Sequence, residues 1–472
     1  MLSYKEVPVM DKNSEYRGVP PEELMENAGR RLAEAITKKF SERPVLFICG
    51  TGNNGGDAYV AARYLTKEWD KTKVKIYLVR GEEDIRSDIA RKNFEQLDCK
   101  IKDEIIWSEI GRKTILVDAL LGTGVKGKIR QPYRGIIENI NEVENPVISV
   151  DVPSGLGSDM SVRPDLTVTF QDKKEGMSVE NSGEIEVVDI GVPKEALTHT
   201  GPGEMLLYPK SKEDSHKGEN GELLIVGGGP YTGAPTLAAM AAYRTGVDLV
   251  HLMVPASISE VVSGYSPNFL VHPLEGEHLV ENHIDKILKL SRECDSIIIG
   301  PGLGEDKRTL DTVSKLVGEL DIPMLIDADG LKAIRDGKTE FSPNVVLTPH
   351  RQEFEMLADD KEKDRELQRR ADDFAKRNSV VLVVKGKVDY ITDGERYRWN
   401  DFGNEGMTVG GTGDTLSGVI GGLMSKRLEP FNSARLGTYM TCRAGDIAFE
   451  ELRWGLTPVD ITKRIPKTFK DQ

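Results

Sequence analysis

The chain has 472 residues, more than one ordinary hydrophobic core accommodates, and its 38% hydrophobic content can fill two domains, possibly three. A formal net charge of −14, with acidic and basic residues interspersed, argues against a nucleic-acid backbone as the main partner, so any bound phosphate must be held locally. The four cysteines are scattered and no apolar run approaches about 18 residues, so we expect a cytoplasmic protein without a disulfide framework, a zinc site or a membrane span.

The first half of the chain alternates helical and strand patterns. Residues 21–40 carry apolar side chains at helical spacing, and short apolar runs predict strands at 45–49, 74–79, 114–117 and 147–150, with a helix at 132–140. Strands that alternate with helices are typical of a mostly parallel sheet covered on both sides. We therefore expect an α/β domain whose ligands bind outside the carboxyl ends of the strands.

Polar and glycine-rich segments follow these predicted strands. A loop over residues 50–57 (Gly-Thr-Gly-Asn-Asn-Gly-Gly-Asp) follows the first strand, and Asp118, residues 122–128 and Asp151 follow later ones. Because the carboxyl ends of parallel strands share one edge, a single pocket could gather them. Their oxygen atoms suit a group I or group II cation rather than zinc. Considered singly, Asp57 is better explained as a helix cap, and Asp118 and Asp151 are better explained as solvated loop residues.

The pattern lapses between residues 192 and 221 into prolines, glycines and charged residues. We place the domain boundary there, which gives domains 1–205 and 206–472. An α/β pattern then restarts. It predicts strands at 223–226, 249–254, 296–299, 324–326, 345–347 and 380–384, helices at 235–244 and 431–452, and a hairpin at 390–397 with an Asp-Gly turn.

The glycine-rich stretch 410–414 (Gly-Gly-Thr-Gly-Asp) precedes a helical pattern. The apolar residues after it share one helix face, namely Leu416, Val419, Ile420, Leu423 and Met424. A helix N-terminus carries unpaired N–H groups and a partial positive charge, so this loop predicts an anion site. Bound phosphate would repel Asp414, which therefore fits a base that takes a proton from a hydroxyl group; alternatively, Asp414 caps the helix.

The chain resembles the bifunctional NAD(P)H-hydrate repair enzymes. The resemblance to their N-terminal domain, the NAD(P)H-hydrate epimerase, rests on four motifs in matching order and spacing: residues 24–29 (Leu-Met-Glu-Asn-Ala-Gly), 53–57, 122–124 and 151–155 (Asp-Val-Pro-Ser-Gly). The second half is similar to the NAD(P)H-hydrate dehydratase, a member of the ribokinase-like superfamily. The resemblance implies two three-layer α/β/α domains, Rossmann-like in the N-terminal half and ribokinase-like in the C-terminal half.

The resemblance to the epimerase implies a site for the hydrated dinucleotide and for K+. The implied substrate contacts are Asn53, Asn54, Gly55, Gly56, Asp57, Gly122, Thr123, Gly124, Val125, Lys126, Gly127, Lys128, Tyr133 and Asp151. The implied potassium ligands are Asn54, Asp118 and Ser154. Inverting the hydroxyl-bearing carbon of the nicotinamide ring needs a proton relay, for which Asp151 is the candidate.

The resemblance to the dehydratase implies that Asp414 is the base and that the N–H groups of Gly411 and Gly413 bind the transferring phosphoryl group. Gly304, His350 and Asp414 would contact the substrate. The implied nucleotide contacts, with Mg2+ bound together with ADP, are Lys385, Gly386, Lys387, Val388, Asp389 and Gly413.

Two positions of the implied dehydratase site stand out. Sugar and vitamin kinases of the superfamily often have asparagine where this chain has His350, which would otherwise read as an exposed loop histidine. The family usually has threonine where this chain has Asp389, which puts a local hydrogen bond in question.

The implied activity is the repair of hydrated NADH and NADPH. The R and S hydrates would interconvert, and the S form would be dehydrated with ADP, releasing AMP and phosphate. The expected partners are these small molecules and further copies of the chain in a homo-oligomer, but neither nucleic acid nor a membrane. Two other functions stay open: a ribokinase-superfamily small-molecule kinase with a non-catalytic N-terminal binding domain, and a binding or scaffold protein.

Overall fold

The computed structural model describes residues 1–125, 127–335, 339, 341–342, 344–358 and 365–471. It divides into two units, Met1–Leu197 and Thr198–Gln472. This division precedes the predicted boundary between residues 205 and 206, because the intervening segment packs within the second unit. The Thr200 hydroxyl donates to Asn400 Oδ1 over 2.7 Å, and Met205 is fully buried in the core of that unit.

The first unit is built on a parallel sheet, of which seven strands lie in the described residues. They are β1 (Val45–Cys49), β2 (Val74–Leu78), β3 (Lys100–Lys102), β4 (Ile115–Ala119), β5 (Val147–Val150), β6 (Leu166–Phe170) and β7 (Glu184–Val188). Their order is β3-β2-β1-β4-β5-β6-β7. This Rossmann-type order has its switch point between β1 and β4, where the following connections leave in opposite directions and open a crevice.

Helices cover both faces of this sheet, as predicted. Along β1, Val45, Phe47 and Cys49 face one hydrophobic core, and Leu46 and Ile48 face the other. The helices are α1 (Glu6–Tyr16), α2 (Pro21–Lys39), α3 (Asn53–Glu68), α4 (Asp88–Glu95), α5 (Tyr133–Glu142), α6 (Val179–Ser182) and α7 (Lys194–Thr198). Short 3₁₀ turns span Lys71–Lys73, Glu82–Asp84 and Trp107–Glu109. The first core contains α2, α3 and α4, and the second contains α5, which makes three layers.

The second unit is built on a larger sheet, with nine strands in the described residues. They are β8 (Glu222–Val226), β9 (Leu249–Pro255), β10 (Leu270–Leu274), β11 (Ser296–Ile299), β12 (Met324–Ile326), β13 (Val345–Leu347), β14 (Val380–Val384), β15 (Asp389–Thr392) and β16 (Tyr397–Asn400). Their order is β10-β9-β8-β11-β12-β13-β14-β15-β16. Pairing is parallel as far as β14, whereas β15 and β16 form the predicted antiparallel hairpin, in which Thr392 pairs with Tyr397.

Helices cover this sheet on both faces too. They are α8 (Gly233–Tyr243), α9 (Ala256–Tyr265), α10 (Ile284–Ser291), α11 (Lys307–Glu319), α12 (Asp329–Ala333), α13 (Arg351–Leu357), α14 (Leu367–Asn378), α15 (Thr412–Ser425), α16 (Pro430–Leu452) and α17 (Pro458–Arg464). Further 3₁₀ turns span Pro202–Leu207, Glu281–His283, Glu405–Met407, Arg453–Gly455 and Ile465–Asp471. In the part of the chain that the structure describes, no helix is both long enough and apolar enough to cross a bilayer.

Helix α15 is buried on every side, whereas its sequence predicted a single buried stripe. It packs against β11 of the sheet and between helices α8 and α16. Glycines permit this close approach: a Cβ at Gly418 would lie 2.1 Å from the carbonyl oxygen of Ala238 in α8, and one at Gly421 would lie 2.5 Å from Ile298 Cδ1 in β11. The backbone of α15 is therefore held directly against its neighbours.

We expect Gly418→Ala to lower the free energy of unfolding by about 2 kcal/mol, because overpacking costs up to about 3 kcal/mol and the better helix propensity of alanine returns about 1 kcal/mol. Gly318→Ala is the matched control, since Gly318 is an exposed glycine of α11 whose added Cβ would meet nothing within 4 Å. Urea titration of the full-length protein by far-ultraviolet circular dichroism measures both variants. Equal stability of the two would show that the α8–α15 contact tolerates a methyl group.

Candidate active sites

The N-terminus of α15 lies at the carboxyl ends of the parallel strands of the second unit. Gly411, the residue before the helix, has a φ of +101°, a left-handed value that favours glycine. Among the described residues we find no hydrogen-bond acceptor for the backbone N–H groups of Gly413 and Asp414. These are the unpaired donors of a first helical turn, and they are available to an anion.

Asp414 lies at the third position of α15 and is partly buried. Burial raises the pKa of its carboxyl group to about 7; the Asp327 carboxylate adds to this rise and the Lys385 ammonium opposes it. The residue before the helix is Gly411, and no described backbone N–H donates to the Asp414 side chain, so the geometry gives no hydrogen bond for a helix cap. A carboxyl group that titrates near neutrality can accept a proton from a hydroxyl group.

A buried ion pair lies beneath this helix terminus. Asp327, which follows β12 and is 2% exposed, accepts from Lys385 Nζ over 2.9 Å and from Ser417 Oγ over 2.6 Å. Burial disfavours the Asp327 carboxylate, but the Lys385 ammonium and the Ser417 hydrogen bond outweigh this effect and lower its pKa. The Lys385 ammonium lies 3.4 Å from where a Cβ of Gly413 would be, so it borders the anion site.

The sequence analysis missed Asp327 and Ser417. The signal for Asp327 was present, since this aspartate directly follows the apolar run of a predicted strand. Ser417 gives no such signal, because its role depends on the face that α15 turns toward β12.

Gly304 and His350 lie in connections that follow neighbouring strands. The N–H group of Gly304, after β11, donates to Asp329 Oδ2 over 2.8 Å. His350 precedes α13 and its Nδ1 accepts from the backbone N–H of Glu353 over 3.1 Å, so a neutral ring carries its proton on Nε2. The His350 side chain is 51% exposed and its backbone pairs with that of Lys385. The residue thus caps a helix, and its Nε2 lies 3.5 Å from Glu353 Oε1.

Five of the six predicted nucleotide residues, 385–389, lie at the turn between β14 and β15, whereas Gly413 is the second residue of α15. Asp389 points inward: its Oδ1 accepts from Gly386 N over 3.0 Å and its Oδ2 from Asn400 Nδ2 over 3.1 Å. The aspartate that stands where the family usually has threonine therefore supports the turn from inside the unit.

In the first unit, the N-terminus of α3 lies at the switch point between β1 and β4. The helix begins at Asn53, so residues 53–57 form its first turns and not the loop that the sequence predicted. The preceding connection approaches its neighbour closely, since a Cβ at Gly50 would lie 1.9 Å from the carbonyl oxygen of Leu120. Because of this contact, the connection after β4 lies next to the free N-terminus of α3.

The motif at residues 24–29 packs α2 on α3. A Cβ at Gly29 would lie 2.3 Å from Val60 Cβ, and one at Gly56 would lie 2.7 Å from Met25 Cε. Asn27 Nδ2 donates to the carbonyl oxygen of Ile190 over 3.0 Å. The motif therefore positions α3, whose first turn faces the crevice.

The three predicted potassium ligands lie close together, with half-buried Asn54 beside the buried oxygen atoms of Asp118 and Ser154. Asp118 lies inside β4 and is fully buried, not in a solvated loop; its Oδ2 accepts from Ser149 Oγ over 2.7 Å and from Ser154 N over 2.9 Å. Ser154 Oγ and Asn54 Nδ2 both contact the carbonyl oxygen of Leu121, over 3.2 Å and 3.4 Å. Burial raises the pKa of Asp118, although hydrogen bonds from Ser154 and Ser149 oppose it.

The described residues give Asp118 only neutral hydrogen-bond donors, and among them no group of three or more His, Cys, Asp or Glu side chains forms a metal cluster. A buried carboxylate without a cationic partner is costly. A monovalent cation bound by the surrounding oxygen atoms would therefore keep Asp118 ionised.

The connection after β4 carries residues 122–128. A Cβ at Gly122 would lie 3.8 Å from Asn54 Cβ, so this connection borders the first turn of α3. Thr123, Gly124, Val125, Gly127 and Lys128 are half-buried or exposed, whereas Lys126 lies outside the described residues. Tyr133 is the first residue of α5.

Asp159, which the sequence analysis missed, anchors the end of this connection. Its Oδ1 accepts from Ile129 N over 2.8 Å and its Oδ2 from Arg134 Nη1 over 2.8 Å. No sequence motif indicates this residue, because its partners Ile129 and Arg134 lie 30 and 25 residues earlier in the chain.

Asp151 follows β5 with a φ of +60°, a strained value for a residue other than glycine, and its side chain is 15% exposed. Its Oδ1 accepts hydrogen bonds from Thr169 Oγ1 (3.2 Å), from Phe170 N (3.1 Å) and from the ammonium of Lys174. The sequence analysis missed Lys174, which is 1% exposed.

Two further carboxyl groups interact electrostatically with Asp151. Burial raises the pKa of Asp57 well above its usual range, and the charges of Asp151 and Asp11 add to this rise. Burial likewise raises the pKa of Asp11, in α1, to about 6, and the Asp151 charge again adds to it. The first unit thus gathers three carboxyl groups and one buried lysine at the edge of its sheet.

Comparison with known proteins covers both units. The family profile described as "YjeF-related protein N-terminus" matches residues 21–176, and the profile described as "NAD(P)H-hydrate dehydratase" matches residues 223–467. The bifunctional NAD(P)H-hydrate repair enzyme Nnr of Archaeoglobus fulgidus is 37% identical over 99% of this chain and 98% of its own length. That of Methanothermobacter thermautotrophicus is 38% identical over 97% of this chain and 93% of its own.

Solved structures match the second unit. An ADP/ATP-dependent NAD(P)H-hydrate dehydratase from Bacillus subtilis, co-crystallised with ATP and Mg2+, gives a TM-score of 0.50 at 23% identity, covering 58% of this chain and 98% of its own. A ribokinase-like superfamily protein from Enterococcus faecalis gives a TM-score of 0.52 at 22% identity, covering 58% of this chain and 95% of its own. At such identities the similarity concerns the fold alone.

The folds and the two crevices define an enzyme of two α/β units, Rossmann-like in the first and ribokinase-like in the second. The similarity to these curated relatives extends over nearly the full length of both partners. The chain belongs to the family of bifunctional NAD(P)H-hydrate repair enzymes.

Proposed function

We propose that the first unit interconverts the R and S hydrates of NADH and NADPH, and that the second unit dehydrates the S hydrate to NADH or NADPH with ADP. The proposal rests on one observation. The Asp414 carboxyl group, whose pKa is about 7, lies at the same helix terminus as two backbone N–H donors without an acceptor, those of Gly413 and Asp414. The names of the full-length relatives support both activities.

In the second unit, the Asp414 carboxylate accepts the proton of the ring hydroxyl, and the hydroxyl oxygen attacks the β-phosphorus of ADP. The bond between this phosphorus and the bridging oxygen breaks, and AMP leaves with the electron pair. The ring phosphate then leaves with its C–O bonding electrons as a neighbouring carbon loses a proton, which restores the reduced nicotinamide. The N–H groups of Gly413 and Asp414 and the Lys385 ammonium stabilise the charge of the transferring group.

Mg2+ would enter with ADP, bound largely by the phosphate oxygens of the nucleotide, where it neutralises charge. The Bacillus subtilis neighbour with ATP and Mg2+ supports nucleotide use in this fold. Lys385, Gly386, Lys387, Val388, Asp389 and Gly413 are the proposed nucleotide contacts, and Gly304 and His350 the proposed substrate contacts.

In the first unit, Asp151 relays the proton of the ring hydroxyl during inversion, and the first turn of α3 with the connection after β4 holds the dinucleotide. Asn54, Asp118 and Ser154 would hold K+, a proposal supported by the buried oxygen cluster and by the absence of a cationic partner for Asp118 among the described residues. Such an ion would fix the connection after β4 beside α3.

Separate incubation of the R and S hydrates of NADH with ADP, with ATP and without nucleotide tests this assignment. The near-ultraviolet absorbance of reduced nicotinamide follows dehydration, and chromatography follows the epimers, AMP and phosphate. We expect the S hydrate with ADP to give NADH, AMP and phosphate in equal amounts, and the R hydrate to react only after conversion to S. No recovery of NADH with either nucleotide would contradict the dehydratase and favour the small-molecule kinase.

The value of kcat/KM for dehydration should fall as the pH drops through about 7, because Asp414 titrates there in the free enzyme and only its carboxylate accepts the hydroxyl proton. Activity is therefore present above this pH and lost below it. Asp329→Asn removes a carboxylate that contributes to the raised pKa and should move this acid limb to lower pH. An acid limb of the unsubstituted enzyme below about pH 5 would contradict the assignment of Asp414.

The cytoplasmic location and the homo-oligomer stay predictions. The four free cysteines support a reducing compartment. Light scattering on the purified protein would measure its molar mass and so its oligomeric state.

A further inference from the structure

The two carboxylate oxygens of Asp151 have different surroundings. Oδ1 accepts three hydrogen bonds, whereas no described residue donates to Oδ2. Oδ2 is not among the buried polar atoms that lack a partner and the Asp151 side chain is 15% exposed, so Oδ2 is accessible to solvent. One oxygen of this carboxylate is therefore held by the protein and the other is available to a ligand.

Lys174 is the residue that most restrains Oδ1. Its ammonium donates to Oδ1, to Thr169 Oγ1 over 3.1 Å and to the carbonyl oxygen of Phe170 over 2.7 Å. An ammonium group has three N–H donors, so all of them are engaged. With every proton hydrogen-bonded and 1% of the residue exposed, Lys174 acts as a fixed positive charge and not as a proton donor to a ligand.

The backbone around Lys174 is fixed by the beginning of the chain. Leu2 N donates to the carbonyl oxygen of Lys173 over 2.8 Å, and Glu175 N donates to the carbonyl oxygen of Leu2 over 2.9 Å. The Lys174 backbone N–H also donates to Met177 Sδ over 3.3 Å. The segment that carries the ammonium group is thus held by backbone hydrogen bonds to Leu2 on one side and by the turn to Met177 on the other.

We propose that Lys174 is a positioning residue for epimerisation, and this proposal rests on the function proposed above for the first unit. The Lys174 ammonium holds Oδ1 of Asp151, so that Oδ2 alone exchanges a proton with the hydroxyl group of the hydrated ring. As the proton passes from the hydroxyl oxygen to Oδ2, this oxygen forms a carbonyl with the ring carbon and the bond between that carbon and the ring nitrogen breaks. The nitrogen then attacks the opposite face of the carbonyl and the proton returns to the oxygen, so the opposite epimer forms and no co-reactant is consumed. Lys174 itself touches no reacting atom.

The charges around this pair explain why a lysine is needed. Asp11 of α1, Asp57 of α3 and the Tyr4 hydroxyl face Asp151, and each experiences its negative charge. Like charges and burial both disfavour an ionised carboxylate, and an adjacent ammonium opposes them. The Lys174 ammonium is the positive charge that faces these carboxyl groups at Oδ1 of Asp151.

Two variants of the full-length protein, Lys174→Met and Lys174→Arg, test the proposal. The conversion of the R to the S hydrate is measured from about pH 5 to about pH 9. We expect Lys174→Met to lower kcat at least about tenfold at neutral pH, to leave KM within about threefold, and to move the acid limb upward by about one pH unit or more. Lys174→Arg keeps the charge and should keep the acid limb at its original pH.

Thr169→Val provides a second test that leaves the buried charge in place. It removes one hydrogen bond to Oδ1 and one acceptor of the ammonium, so kcat should fall with KM unchanged, although the loss should be smaller than for Lys174→Met. Dehydration of the S hydrate in the same preparations reports on the intact second unit, and circular dichroism reports on folding of the first.

The outcomes separate this proposal from the proposed function. An unsubstituted protein that does not interconvert the hydrates overturns the function and the proposal together. An active unsubstituted protein whose folded Lys174→Met variant keeps both kcat and the acid limb overturns the proposal alone. If Lys174→Met does not fold, an unchanged kcat and acid limb in Thr169→Val overturn it instead.

Discussion

Asp414→Asn should lower kcat for dehydration of the S hydrate by about a thousandfold, the contribution expected of a positioned general base. Asparagine matches aspartate in shape and leaves the N–H donors of the first turn of α15 in place, so nucleotide binding should persist. The amide cannot accept the hydroxyl proton, which is why the loss should fall on kcat. Stopped-flow or steady-state recovery of reduced nicotinamide with ADP measures it.

Asp460→Asn is the matched control for this prediction. Asp460 lies at the same third position of a helix, α17 in the same unit, where its carboxylate accepts from Thr457 N over 3.0 Å. Its replacement should cost about 1 kcal/mol of stability and leave dehydration unchanged. If Asp414→Asn keeps its rate within about tenfold of the unsubstituted enzyme, the base is another group.

Asp151→Asn should abolish interconversion of the R and S hydrates, with a loss of at least about a hundredfold, while dehydration of the S hydrate continues. The amide removes the charge that Lys174 holds and leaves no carboxylate to take the hydroxyl proton. When the pure R hydrate is supplied with ADP, this variant should therefore form reduced nicotinamide only at the uncatalysed rate of epimerisation. When the S hydrate is supplied, recovery should match that of the unsubstituted enzyme.

Asp98→Asn is the control in the first unit, since Asp98 is 79% exposed and Lys71, on the surface, is its ion-pair partner among the residues that the structure describes. Its replacement should change neither activity, because exposed ion pairs contribute about 1 kcal/mol or less. Interconversion that survives Asp151→Asn at more than about a tenth of its original rate would move the relay to another group, with Asp57 and Asp11 the next carboxyl groups to replace.

The strands with uninterrupted apolar runs were predictable from the sequence. The predicted strands at 45–49, 324–326, 345–347 and 380–384 have the bounds of β1, β12, β13 and β14, because a strand buried on both faces consists of consecutive apolar residues. The two α/β units and the parallel sheets are confirmed for the same reason. The edge strands β3 and β7 were missed because their charged residues hide the pattern.

The beginning of α3 and the place of Asp118 were predicted wrongly. Glycine and asparagine are poor residues for a helix interior, so residues 53–57 read as a loop, whereas their position at a helix N-terminus tolerates them. Asp118 was predicted to lie beyond a strand because its charge ends the apolar run. It lies inside β4, where its Oδ2 accepts hydrogen bonds from Ser149 and Ser154.

The sequence by itself determined the two α/β units, their family, and the candidate residues that directly follow strands, because buried strands and glycine-rich helix starts leave local patterns. Only the tertiary structure decided which side chains surround those candidates: Lys174 and Asp11 beside Asp151, and Asp327 beside Asp414. These neighbours come from distant parts of the chain. Their effect on the candidate residues depends on distance and burial in three dimensions, and neither quantity can be derived from the local sequence.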